Sequence, residues 1–123
     1  MKIKEFAAQT GLSPATLRFY EKEGLLLPQR DANGYRAYSE QDIDWALCIL
    51  RLKQMGVPLT QMKTYAHLKH QGNATVSQRY ALLQAHREAL TAQQQELAAY
   101  QYYLEQKLAV YRAFLEEGGE AAV

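Results

Sequence analysis

Cysteine occurs once in this sequence, at position 48, and proline three times. A single thiol excludes an intrachain disulfide and any zinc site built from several thiolates. No apolar run approaches the roughly 18 residues that cross a bilayer, and the N-terminus lacks the apolar core of a secretion signal. The expectation is a cytoplasmic protein with no membrane partner. The three histidines, His67, His70 and His86, have no carboxylate or thiol partner at ligand or acid–base spacing. This predicts no metal, no cofactor and no catalytic residue, and so no enzyme. Net charge is also scarce, at +1.

That small charge is unevenly spread. Residues 1–72 hold ten Lys and Arg against seven acids, a net of +3, and residues 73–123 hold four against six, a net of −2. The basic part is the better candidate for a polyanion partner. With 123 residues, 48% apolar and 22% charged, the chain reads as one small globular domain with an appended helix.

The N-terminal part is punctuated by turn residues. "IKEFAAQTG" sets Ile3, Phe6 and Ala7 on one helical face and closes at Gly11. In "SPATLRFYEKEGLL" Ser13 suits an N-cap, Pro14 the first helical position and Gly24 a left-handed C-terminal stop. Two short helices joined by a glycine-containing turn make a helix-turn-helix. Leu17 and Phe19 read as packing residues. Next, Asn33-Gly34 marks the turn of a small two-stranded hairpin, with Arg30 and Arg36 on its arms and Tyr35 and Tyr38 on its return strand. Ser39 to Asp42 resembles a capping box opening a helix that is expected to bury Ile43, Leu47 and Leu50 and to stop at Gly56. A fourth helix turns Leu59, Met62 and Ala66 inward, and "QGN" ends it.

Beyond Thr75, read with Gln78 as a second capping box, no Gly or Pro interrupts the chain until Gly118. About forty residues can thus form one helix of roughly 60 Å. Val76, Leu83, Leu90, Leu97, Leu104 and Tyr111 recur every seventh residue, with Leu108 and Leu115 in a poorer companion row. So narrow a stripe on so long a helix predicts pairing with a second copy of the chain. The domains expected are 1–72, a winged helix-turn-helix; 73–117, a coiled-coil dimerisation helix; and 118–123, a flexible tail.

Residues 1 to about 70 resemble the DNA-binding domain of the MerR family of bacterial transcription regulators. The resemblance is carried by "TLRFYEKEGLL", by the wing "PQRDANGYRAY" and by the helix that follows, in the same order and spacing. It implies a mainly α fold with a small β-hairpin wing and an antiparallel coiled coil. It also implies a homodimer on double-stranded promoter DNA, at a pseudo-palindrome with an overlong spacer, distorting the duplex in response to a signal so that RNA polymerase can engage, as activator or repressor. The DNA contacts it implies are Thr16, Arg18, Tyr20 and Lys22 on the second helix and Tyr35, Arg36 and Tyr38 on the wing. These are residue types that reach base edges or phosphates, Arg through a planar fork.

The residues leave a rival open: a coiled-coil architectural or protein-interaction module that binds DNA without sensing an effector. Among MerR relatives, the metal-sensing, iron–sulfur and mercury branches need several cysteines, and the multidrug branch carries a large C-terminal ligand domain. The chain is most similar to the short branch that responds to aldehydes and thiol stress. That branch's cysteine falls at Arg51 here, and Cys48 lies about one turn earlier. Cys48 is therefore a candidate thiol sensor for an electrophile, with Arg51 as a stabilising cation. The plain alternative is a small buried side chain among Leu47, Ile49 and Leu50. A small molecule held near the tyrosine-rich coil, including Tyr100, Tyr103 and Tyr111, is the other effector expected.

Overall fold

A computed structural model describes residues 1–118, so most of the expected 118–123 tail lies outside the described residues. The chain divides into two compact units, Met1–Leu83 and a second from Gln84 onward. The first unit comprises α1 (Ile3–Thr10), α2 (Pro14–Lys22), β1 (Gln29–Arg30), β2 (Arg36–Ala37), α3 (Glu40–Gln54), α4 (Leu59–His70), a short 3-10 turn (Asn73–Thr75) and the start of α5. Helix α5 runs unbroken from Val76 to Glu116. The expected boundary at residue 72 and the compact boundary at residue 83 differ because the first turns of α5 belong to the first unit.

Local chemistry sets the element ends. Gly11 takes φ 73°, in the left-handed region, and donates its N–H back to Ala7. Ser13 accepts the Thr16 N–H at 3.1 Å, so the N-cap of α2 forms as its sequence predicts. Ser39 and Asp42 form a reciprocal capping box, the Ser39 N–H donating to Asp42 Oδ2 at 2.9 Å and the Asp42 N–H to Ser39 Oγ at 3.2 Å. Thr75 lies in the 3-10 turn ahead of α5, and among the described residues its hydroxyl bonds Leu68, Gly72 and Arg79 rather than Gln78. Its buried hydroxyl lies 2.6 Å from the Leu68 carbonyl and accepts from Arg79 Nε at 3.1 Å, tying the α4–α5 connection together.

The core sits where α1, α2, α3 and α4 converge, with Phe6, Leu17, Leu25, Leu26, Ala46 and Ile49 sealed from solvent. Each large apolar side chain so buried contributes about 1.5–3 kcal/mol. On α3 the inward face is Trp45, Ala46, Ile49 and Leu52, whereas Ile43, Leu47 and Leu50 are only half-buried. "IDWALCIL" is apolar on more than one face, so periodicity alone did not select between them. The indole of Trp45 decides it, donating to the Leu25 carbonyl at 2.7 Å. On α4, Met62 and Ala66 are buried as expected, but Leu59 is exposed.

Candidate nucleic-acid interface

Helix α2 and the hairpin carry the residues that the sequence marks for polyanion contact. Because Leu17 and Tyr20 are three residues apart, they share the face of α2 that enters the core, and the intervening Arg18 is turned to solvent. Lys22 is also exposed, and among the described residues neither Arg18 nor Lys22 forms an ion pair. Thr16, half-buried at the start of α2, receives a hydrogen bond from the Ser13 hydroxyl at 2.9 Å. Its position at a helix N-terminus sets a hydroxyl beside backbone N–H groups that favour an anion.

Three expectations need correction. Tyr20 is 2% exposed and its hydroxyl is buried without a hydrogen-bond partner, so it is a core residue rather than a group reaching outward to DNA. Tyr38 is 3% exposed, with its ring stacked on Phe6 at 4.2 Å between centroids and its hydroxyl likewise unpartnered. Burial raises the pKa of both phenols above the ordinary value. Phe19, read as packing, is 45% exposed and lines a cavity of about 310 Å³ with Leu25, Lys53, Val57, Leu59 and Met62.

The hairpin pairs Gln29 with Ala37 and Arg30 with Arg36 in antiparallel register. Its turn is closed by the Gly34 N–H on the Asp31 carbonyl at 3.0 Å, and Gly34, at φ 81°, supplies the left-handed residue before the return strand. Asn33 keeps a negative φ, so glycine alone carries the reversal. Asp31 organises the loop. One carboxylate oxygen accepts the N–H groups of Asn33 and Tyr35 at 2.9 and 3.0 Å, and the other pairs with Lys2 at 2.6 Å. The Lys2 hydrogen bond, followed by that of Tyr35, holds the Asp31 carboxyl below its usual pKa. Lys2 also lies 4.7 Å over the ring of Tyr35, which remains exposed on the wing.

Sequence reasoning missed Glu21. Its carboxylate accepts from Arg30 Nη2 at 3.0 Å and from Arg36 Nε in an ion pair, joining both arms of the hairpin to α2. The Glu21 hydrogen bond pushes the Arg36 pKa further up. Arg36 is thus half-buried and engaged, with its terminal Nη groups outside that bond. Glu23, at the end of α2, pairs with Lys63 of α4 at 2.6 Å. No local spacing marks Glu21, because its partners lie 9 and 15 residues further along the chain.

Cys48 is half-buried against the core. Burial raises its thiol pKa, and the cation opposing that rise is Lys69, not Arg51. Among the described residues no group of three or more His, Cys, Asp or Glu is arranged to hold a metal ion, and no helix is long and apolar enough to cross a membrane. The predicted seam of α5 is largely open in the single chain: Val76, Leu83, Leu97, Leu104, Leu108 and Tyr111 are exposed and Leu90 is half-buried.

Comparison with known proteins places this geometry in context. The family model described as "MerR HTH family regulatory protein" matches residues 1–69, and that described as "MerR, DNA binding" matches residues 47–107. An uncharacterised HTH-type transcriptional regulator of Haemophilus influenzae is 36% identical over 95% of this chain and 87% of its own length. The regulator AdhR of Bacillus subtilis is 37% identical over 73% of this chain and 65% of its own length. Among solved structures, HiNmlR, a MerR family regulator lacking the sensor domain and bound to promoter DNA, superposes with a TM-score of 0.76 at 34% identity, covering 96% of this chain and 94% of that one. A regulator of the same family from Listeria monocytogenes gives 0.83 at 26% identity, over 96% and 90% of the two chains.

Proposed function

This chain belongs to the MerR family of helix-turn-helix transcription regulators, and we propose that it binds promoter DNA as a homodimer, with α2 in the major groove and the wing on the flanking backbone. The observation that carries this reading is the exposed Arg18 and Lys22 on a capped α2, next to a wing that bears Tyr35, Arg30 and Arg36. Arg18 and Thr16 meet base edges or adjoining phosphates, and Lys22, Tyr35 and Arg36 meet the backbone. Phosphate contacts set register and orientation, and base contacts discriminate. The DNA complex of HiNmlR supports the same class of partner.

Dimerisation through α5 follows from its exposed seam. Two subunits at a fixed separation engage two half-sites, and a change in their relative angle deforms the intervening duplex, at a cost on the order of a few kcal/mol. A promoter with an overlong spacer, distorted so that RNA polymerase engages both of its elements, is the target this mechanism requires. The signal is a small molecule or an electrophile. Burial of Cys48 disfavours its thiolate and weighs against the thiol route.

Selection of duplexes from a randomised pool, followed by binding across a salt series, tests the reading. The expected result is a recurrent inverted repeat, bound in preference to scrambled DNA, with affinity that falls linearly on a log–log plot against salt. Equal binding to all duplexes would favour the architectural module instead.

A further inference from the structure

We propose that Glu21 is a positioning residue that locks the wing onto α2 and thereby sets how sharply the protein discriminates between duplexes. The inference rests on the DNA-binding reading above and extends it to a residue outside the contacts that reading proposes.

The register of the hairpin poses the problem. Arg30 and Arg36 are direct cross-strand partners, and like charges directly opposite in an antiparallel pair repel. A two-residue ladder on each side has little to set against that repulsion. Glu21 resolves it from outside the hairpin: Oε1 takes Arg30 Nη2 at 3.0 Å and Oε2 takes Arg36 Nε, so one carboxylate spans both arms. Arg30 is fixed further by Nη1 on the Gly34 carbonyl at 3.3 Å. The Glu21 side chain is only 21% exposed, against 49% for Arg30, which places the carboxylate on the inner side of the pair. Glu21, Arg30 and Arg36 thus form one ion-paired cluster between helix and wing.

Electrostatics separates positioning from adhesion. Two arginines and one glutamate leave the cluster positive, and in the DNA-binding reading it faces a polyanion. A carboxylate there repels phosphate, so its removal adds net attraction for any duplex whatever its sequence. What Glu21 supplies is geometry: it holds the phosphate-gripping wing at one angle to the helix that reads the groove. Freed of it, the wing still grips phosphate but no longer sets the register of α2 on the bases.

The test uses the full chain and two probes, the duplex that the wild type selects from a randomised pool and a scrambled duplex of the same composition. Binding-competent protein is titrated in each case, so that loss of folded material lowers the amplitude and leaves the affinity ratio intact. Glu21→Gln is expected to bind the scrambled duplex as well as the wild type or better. It should bind the selected duplex less well, so that the ratio falls about tenfold or more. Arg36→Lys keeps the charge but loses the Nε donor, and is expected to lower the ratio as well. The double variant should fall no further than the larger single effect, since both break one linkage. A Glu21→Gln protein with the wild-type ratio overturns the inference. If Glu21→Gln does not fold, Arg36→Lys decides, and an unchanged ratio there overturns it equally. A wild type that selects no duplex overturns the DNA-binding reading and this inference together, whereas selection by the wild type with an unmoved variant overturns the inference alone.

Discussion

Residues 1–83 enclose a sealed apolar core of their own, whereas the helix from Gln84 onward has none and leaves most of its apolar side chains in water. Phe6 is 0% exposed, and Leu97 and Leu115 are 65% and 75% exposed. The first unit is also rich in punctuation: capped helix starts, glycine stops, and carboxylates that hold the wing. Among the described residues the second is one uninterrupted stretch of α5, as far as Glu116. An element with an exposed apolar row and no core of its own takes its stability from another surface, so in the proposed dimer the first unit's fold is intramolecular and the second unit's order comes from association.

Mutations on the two sides of that divide should behave differently. The largest effect is expected from Phe6→Ala, which removes a sealed core ring stacked on Tyr38 and should cost about 3–5 kcal/mol in chemical denaturation, independently of protein concentration. A loss below about 1 kcal/mol would mean that the first unit does not depend on this core. Leu97→Glu should act on assembly instead, because it sets a charge in the apolar seam. Sedimentation should show a shift to monomer while the circular dichroism of the first unit's helices persists; an intact dimer would place the interface elsewhere.

Smaller effects sharpen the comparison within the first unit. Arg18→Ala should weaken binding to the selected duplex by about 1–3 kcal/mol without changing the melting temperature, since Arg18 is exposed and forms no ion pair among the described residues. Unchanged affinity would remove α2 as the reading element. Cys48 should give the smallest effect. With its pKa raised by burial, its thiolate forms at higher pH in the folded chain than in the unfolded one. Labelling by iodoacetamide near pH 8 should be slower in the native protein than in urea, and the gap should narrow as pH rises beyond the free-thiol value of about 8.5. Faster labelling in the native state would revive the thiol switch.

The fold was largely legible because its boundaries are written in residues with single physical meanings. Ser13-Pro14, Ser39 with Asp42, and the left-handed Gly11, Gly24 and Gly34 all do in the structure what their chemistry implies. Faces were less legible than boundaries. On α3 an all-round apolar stretch hid which side was inward until the Trp45 hydrogen bond selected it. The same limit affected the aromatics of the candidate site. Tyr20 and Phe19 are adjacent and chemically alike, and only the tertiary fold turns the first inward and the second outward. Glu21 was invisible for a different reason, since its two partners lie 9 and 15 residues away and become neighbours only when the hairpin closes against α2.

The central claim is that two copies of one helix and wing, spaced by α5, read a single duplex. Hydroxyl-radical footprinting of the full chain on the duplex it selects tests this most directly. Two protected patches related by a dyad and lying on one face of the DNA are predicted, and both should vanish together in Leu97→Glu. A single patch, or two that survive the loss of the dimer, would contradict it.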